Sequence, residues 1–332
     1  MDGNTSSGDL VHVKGGERRG PFFSICTEVT NRGKTIRRTI ESIAQQTYRN
    51  FEYIILNNQS DDKSDEVIRQ ALLDLPFDDV AVNYKTTERK LSDIESWNAP
   101  LAHARGKYIV VCEGDDWFAP DHLEMASRVL TEDKNVGLYV SGRGDLSIDV
   151  QREKYAGIQN WVAHDVLIKR MMGFSFAPPP SEVIFLREGK HGQFFYDANK
   201  YVYAAEYGLY NEILHQGFHG YINCDVHTVF RGHSSYKRRL FHVRDAYAIL
   251  EQWRDQYDNS GEYLHARMKL LRRSTAMLAA QVASISLELV LLVHIFKEAI
   301  FLRTGMPLRV LPKDVIVCIR QRLGTLRARF RS

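Results

Sequence analysis

The chain has 332 residues, enough to bury one large domain with additions or two of ordinary size, and its 44% hydrophobic and 26% charged content is that of a globular protein. Its 44 basic residues nearly cancel 41 acidic ones, and a net charge of +3 argues against a chain built to bind nucleic acid. Cys26, Cys112, Cys224 and Cys318 are scattered and form no CxxC pair, which excludes zinc-ribbon and thioredoxin-type arrangements and predicts reduced, buried thiols in a cytoplasmic protein.

Residues 1–20, MDGNTSSGDLVHVKGGERRG, are polar and glycine-rich where a secretory signal needs an apolar core, so they read as a disordered leader. From there short apolar runs alternate with amphipathic segments. FFSIC (22–26), FEYIIL (51–56), DVAVNY (79–84), KYIVVC (107–112) and VGLYV (136–140) have the length and composition of strands. Ile36, Ile40 and Ile43 share one helical stripe, as do Val67 and Leu72 with their neighbours, and segments 91–105 and 120–131 are further predicted helices. Strand and helix in alternation predict an α/β fold with a mainly parallel sheet covered on both faces, and such sheets bind ligands at the carboxyl ends of their strands.

Beyond about residue 145 the rhythm weakens. FAPPPSEVIFL (176–186) predicts an extended loop leading into a strand, residues 201–217 a helix closed by Gly217, and residues 221–235 a strand followed by a polar loop. Charge-rich helices follow from about 240 to 272. Residues 274–296 have the length of a membrane span, but Glu288 lies near the middle of the run and Lys297 and Glu298 just beyond it. The last 13 residues contain five arginines among apolar positions, a pattern suited to lying on an anionic membrane surface. The competing reading packs these helices on the rest of the chain or on a second copy in a homo-oligomer.

The polar clusters fall where the strands end: TEVTNRG after the first, NNQSDDKS after the second and EGDDW after the fourth. In the last, Glu113, Asp115 and Asp116 crowd the exit of a buried strand. Like charges so placed repel, and burial without compensation is costly, so they must be solvated or gathered around a cation. An isolated acidic triplet is more often a solvated turn. At the ligand-binding edge of a sheet, oxygen ligands suit Mg²⁺ or Mn²⁺, ions that commonly join carboxylates to a substrate diphosphate.

Residues 22 to about 236 resemble a family-two glycosyltransferase of the GT-A fold. The resemblance rests on CTEVTNRGKT, ESIAQQTYRNFEYIIL, LNNQSDDKS and WNAPLAHARGKYIVVCEGDDWFAPDHLE, the last matching the segment around the family's DxD motif, with Asn98, Ala104 and Gly106 in place. It implies an inverting, metal-dependent sugar transfer from a nucleotide-diphosphate donor, a UDP-sugar favoured, to an acceptor hydroxyl. The implied layout is a GT-A domain over 21–238, with a nucleotide-binding half of about 21–118 and an acceptor half of about 119–238, then a helical region over 239–332.

Carried over position by position, the resemblance sets Thr27, Glu28, Asn31, Asn58 and Asn98 beside the donor, and Asp115 with Glu113 at the metal and diphosphate. Glu113 stands for the more common first aspartate, and Asn57 stands where an acid is usual. AAEYGLYNEIL places Glu206 at the position of the general base and Ala205 where an acid is often seen. FRGHSS makes His233 a candidate metal ligand and Arg231 a phosphate ligand. Asp116, Trp117, Ser181 and Glu182 fall on the acceptor side, Trp117 reading foremost as a packing residue. A cytoplasmic enzyme held peripherally on the inner membrane face through 274–332, extending a lipid-linked or saccharide acceptor in surface polysaccharide or glycolipid assembly, is the resulting expectation. A nucleotidyltransferase and a degenerate, binding-only transferase are the alternatives. The first lacks a glycine- and lysine-rich phosphate loop near the first strand; the second draws on Asn57, Glu113 and Ala205.

Overall fold

The computed structural model describes residues 20, 22–144, 147–172, 178–201, 205–224, 229–230, 249–254, 261 and 263–271. Arg231, His233, the residues preceding Gly20 and the basic tail over 274–332 lie outside them. The described residues fall into two compact units, one made of residues up to 171 and 178–230, the other including 249–271. In the second unit Trp253 is buried, and Arg267 lies beside Tyr263 and Glu251, its guanidinium donating to the Tyr263 hydroxyl at 3.3 Å.

The first unit opens with strand β1 (Phe23–Val29), helix α1 (Ile36–Ala44), β2 (Phe51–Asn57), α2 (Ser64–Asp74), β3 (Ala81–Thr86), α3 (Asp93–Leu101) and β4 (Tyr108–Val111). It continues through β5 (Trp117–Phe118), α4 (His122–Glu132), β6 (Val136–Ser141), α5 (Ile148–Lys154), β7 (Asn160–Val162) and α6 (His164–Met172). After a 3₁₀ turn at Pro180–Glu182 come β8 (Val183–Leu186), a small pair β9 (Glu188–Gly189) and β10 (Gly192–Gln193), α7 (Ala205–His215), β11 (His219–Asn223) and β12 (Val229–Phe230).

Sequence dictates much of this. Ile36, Ile40 and Ile43 are fully buried on one face of α1. On α2 the buried stripe is instead Ile68 and Ala71, with Val67 and Leu72 at its flanks. Helix α3 starts where Ser92 and Glu95 form a reciprocal capping box that satisfies backbone donors at the helix start. Helix α7 ends before Gly217, whose φ of +90° is a left-handed conformation open to glycine at low cost. Helices α5 and α6 and strand β7 occupy the stretch in which the sequence rhythm weakens. Strand β7 exposes Asn160 and Trp161, and a three-residue strand carries no legible alternation.

Eight strands form one sheet in the order β3-β2-β1-β4-β8-β6-β11-β7. Strands β3, β2, β1, β4, β6 and β11 point the same way, while β8 and β7 run against their neighbours. The central strands bury nearly every side chain, as strands covered on both faces must. Gly106 explains itself at the join of β1 and β4, because a Cβ there would stand 2.5 Å from the backbone of Phe23 and Ser24. Behind it Glu52, almost wholly buried, accepts from Ser24 Oγ at 2.6 Å and pairs with Arg105 at 2.8 Å. Cys26, Cys112 and Cys224 are buried thiols.

Antiparallel β8 matters most for the site. Because it runs against β4, its beginning lies at the edge where the parallel strands end, and the turn Pro180–Glu182 enters that rim.

His122, 0% exposed at the start of α4, stacks on Phe118 with ring centres 4.2 Å apart and faces Ser141 Oγ at 3.4 Å. Burial pushes its pKa down to about 3, so the folded ring stays neutral while the unfolded one titrates near 6.5. The stability it contributes is complete above about 6.5 and is lost as pH falls from there toward 3, at up to about 1.4 kcal/mol per pH unit. Urea unfolding between pH 6.5 and 4 is therefore expected to give a shallower loss of stability for His122→Gln than for the native chain.

Candidate active site

The rim is built from the loops that follow β1, β2, β3 and β4, and backbone geometry binds them to one another. Asn31 turns the first loop with a φ of +55°, a conformation asparagine tolerates better than most residues. Its N–H donates to Ser60 Oγ at 3.0 Å and its carbonyl side-chain oxygen accepts from Asp61 N at 3.0 Å. Arg32 N donates to Ser64 Oγ at 2.8 Å and Gly33 N to Asp62 Oδ2 at 2.9 Å, so the first two loops are zipped together. Lys90, from the third loop, donates from Nζ to the Asn58 carbonyl at 2.6 Å.

The acidic loop after β4 sits against this frame. Thr35 Oγ1 donates to the Gly114 carbonyl at 2.9 Å and Thr39 Oγ1 to the Asp116 carbonyl at 2.8 Å, so α1 holds the loop by its backbone. From the opposite side Glu113 N donates to Ser181 Oγ at 3.2 Å. A Cβ on residue 114 would come within 3.1 Å of Arg32 Cγ and 3.3 Å of the Glu28 carbonyl, which is why glycine separates the two acids. One carboxylate oxygen from each of Glu113, Asp115 and Asp116 lies within 4.8 Å of the others. Asp115 and Asp116 are buried, and the Arg32 guanidinium stands 3.7 Å from Asp115 Oδ2. An all-oxygen donor set of this compactness fits a hard divalent cation such as Mg²⁺ or Mn²⁺.

Glu28 lines the same rim. Burial raises its carboxyl above the usual range, opposed by the Thr30 hydroxyl, which donates to it at 2.6 Å, and then by Arg32, Asn58 and Lys90. Glu206 stands in the first turn of α7. Burial foremost, then the charges of Glu206, Cys26 and Glu113, raises the Tyr196 hydroxyl, so one buried ring lies within electrostatic reach of both the candidate base and the acidic loop.

Residues 24–179 match the sequence profile described as Glycosyl transferase family 2. Over those residues the chain is similar to family 2 glycosyltransferases. It is 28% identical over 148 residues to an uncharacterized glycosyltransferase of Methanocaldococcus jannaschii, covering 42% of this chain and 50% of the relative. It is 27% identical over 130 residues to glycosyltransferase GlyA of Streptococcus pneumoniae, covering 36% of this chain and 17% of that protein. The chain thus spans half or less of these relatives' length. Among solved structures, S. aureus TarS 1–349 in complex with UDP superposes with a TM-score of 0.60 at 15% identity, over 87% of this chain and 82% of that one. The mannosyltransferase PcManGT of Pyrobaculum calidifontis, in complex with GDP-Man and Mn²⁺, gives 0.55 at 19% identity over 85% and 81%. These likenesses establish the fold, a GT-A-type, mainly parallel sheet flanked by helices.

Several residues expected beside the donor or the acceptor have partners within the protein. Thr27 is 0% exposed and accepts from the Tyr53 hydroxyl at 3.3 Å. Asn58 is buried and spends its amide on Leu91, accepting from N at 2.8 Å and donating to O at 3.2 Å; it shapes the third loop. Asn98 does the same for Tyr196, with both bonds at 2.8 Å. On the acceptor side, Ser181 holds the acidic loop, and buried Glu182 accepts from Lys154 and Tyr155 at 3.2 Å each with Arg143 at 3.7 Å. Both are tied to protein partners. Trp117 has the Arg38 guanidinium 3.4 Å from its ring centre and stacks on Phe230, in agreement with packing. Asn57 donates to the Tyr84 hydroxyl at 3.3 Å and accepts from Ser60 N at 3.1 Å. Arg231 and His233 lie outside the described residues.

Two cations at the rim, Arg32 and Lys90, escaped the sequence reading. Arg32 directly follows Asn31 in TNRG, where a cation next to a ligand loop is a usable signal; Lys90 lies in a stretch of mixed charge and gives none. Ser181→Ala removes the acceptor that fixes Glu113 N, and it is expected to weaken Mn²⁺ binding about tenfold, or about 1.4 kcal/mol, in calorimetric titration.

Proposed function

We propose that the chain is a metal-dependent, inverting glycosyltransferase that moves a sugar from a nucleotide-diphosphate donor, a UDP-sugar by preference, to an acceptor hydroxyl. The observation that carries this reading is the convergence of three carboxylates beside Arg32 at the carboxyl ends of parallel strands, in a stretch similar to family 2 glycosyltransferases. Asp115 and Glu113, with Asp116, would hold Mn²⁺ or Mg²⁺, which neutralises charge on the departing diphosphate when bound. Arg32 and Lys90 bring fixed positive charge to the same rim, where a diphosphate leaving group gains negative charge. Glu28 and Asn31 face the donor from the first loop. His233 and Arg231, following β12, complete the diphosphate side of the proposal.

Glu206 is the base. Its carboxylate takes the acceptor hydroxyl proton as the acceptor oxygen bonds to the anomeric carbon, while the bond from that carbon to the diphosphate oxygen breaks on the opposite side. The nucleoside diphosphate leaves with the electron pair, and the anomeric configuration inverts. The likeness to TarS, crystallised with UDP, and to PcManGT, crystallised with GDP-Man and Mn²⁺, supports a nucleotide-sugar donor and a divalent ion.

The test is release of UDP from UDP-sugars with Mn²⁺ present. Asp115→Asn is expected to lower kcat/KM by at least about a hundredfold. Glu206→Gln is expected to lower kcat by at least about a hundredfold while UDP binding persists. Turnover unaffected by EDTA, or unchanged in either variant, would refute the assignment.

The acceptor we propose is a lipid-linked or saccharide chain in surface polysaccharide or glycolipid assembly, worked on at the cytoplasmic membrane face. Its support is the basic, apolar composition of 274–332. No helix among the described residues is long and apolar enough to cross a membrane. Deleting 274–332 is expected to abolish sedimentation with anionic vesicles; unchanged sedimentation would remove the membrane from the proposal.

A further inference from the structure

At the other end of the sheet from the acidic loop, β11 begins with His219, and antiparallel β7 runs out beside it toward His164, the first residue of α6. The placement of His219 is fixed on both sides. Its backbone N–H donates to the Asn135 carbonyl at 2.8 Å, and the Trp161 ring lies against its imidazole with centres 4.6 Å apart. Trp161 is in turn anchored by its indole N–H, which donates to Asp133 Oδ2 at 3.1 Å.

The two imidazoles share an unusual feature. Nδ1 of His164 and Nδ1 of His219 are both shut off from the surface, and neither has a hydrogen-bond partner among the described residues. A buried ring nitrogen left unpaired is costly, and two occur on adjacent rings whose centres are 5.6 Å apart. Two imidazoles ligating one tetrahedral ion through bonds of about 2.0–2.1 Å have ring centres roughly 5 Å apart. The observed 5.6 Å between the ring centres is close to that spacing.

We propose that His164 and His219 form a binding site for a late first-row transition-metal ion, Zn²⁺ foremost, distinct from the acidic rim. The donor chemistry separates the two sites: imidazole nitrogen suits Zn²⁺, Ni²⁺ and Cu²⁺, whereas the carboxylates after β4 suit Mg²⁺ and Mn²⁺. Asp133 and Asp165 lie close enough to act on His219 electrostatically and supply the negative charge that an added cation needs nearby. With two protein ligands, water completes the coordination. The ion would clip β11 to the β7–α6 junction, where the edge strand of the sheet is only three residues long. None of this depends on the sugar-transfer reading.

The experiment is calorimetric titration of EDTA-treated full chain with Zn²⁺ in excess Mg²⁺, so that the acidic rim is saturated. The native chain and Asp115→Asn are expected to bind Zn²⁺ alike, and His164→Gln and His219→Gln each to lose at least tenfold in affinity. Zn²⁺ is also expected to raise the thermal midpoint of the native chain and of neither histidine variant. A side-chain nitrogen NMR spectrum of the native protein supplies a readout that needs no variant: the Nδ1 signals of both rings move on adding Zn²⁺. Absence of Zn²⁺ binding, equal binding by the histidine variants, or unmoved Nδ1 signals would each overturn the site.

Discussion

Three carboxylates within 4.8 Å of one another repel, and the chain must hold them there before any ligand arrives. It does so mainly through the backbone of the loop that carries them. Thr35, just before α1, and Thr39 within it donate to the carbonyls of Gly114 and Asp116, while Ser181 accepts from the N–H of Glu113. Among the described residues the Arg32 guanidinium stands 3.7 Å from Asp115 Oδ2 and brings positive charge to the cluster. Helix α1, the turn before β8 and the first rim loop are thereby recruited to one task, and the parallel strands beneath serve to place those three pieces around the end of β4.

Hydrogen bonds between loops hold the rest of the rim together in the same way. Asparagines and serines at the strand ends are used to tie loop to loop: Asn31 with Ser60 and Asp61, Asn57 with Tyr84 and Ser60, Asn58 with Leu91, Asn98 with Tyr196. Polar residues at a ligand edge are easily read as ligand contacts. Here many of them complete the backbone hydrogen bonding that buried loops require, and the charged groups gathered at this frame are Glu28, Arg32, Lys90 and the acidic triplet. An electrostatic site on a scaffold of satisfied amides costs little reorganisation when charge develops in it.

Much of this was legible beforehand. The strands β1, β2, β4 and β6 announce themselves because strands covered on both faces must be apolar throughout, and α1 because three isoleucines fall on one stripe. The acidic triplet was readable because carboxylates leaving a buried strand have few explanations. Less was legible between residues 148 and 172, where helices are short and β7 is half exposed, so no period stands out against the noise. The direction of β8 was equally hidden: an apolar four-residue run is the same whether it runs with or against its neighbours.

The sequence alone determined which elements form and which side chains carry charge, since periodicity and composition are local properties set by burial and backbone preference. It could also place Glu113, Asp115 and Asp116 at the end of one strand. Only the tertiary structure decided which polar groups remain available, because hydrogen-bond partners come from residues far apart in the chain: Thr27 with Tyr53, Asn98 with Tyr196, Glu113 with Ser181. The same holds for His164 and His219, which no spacing connects and which meet only because β7 and β11 pair antiparallel.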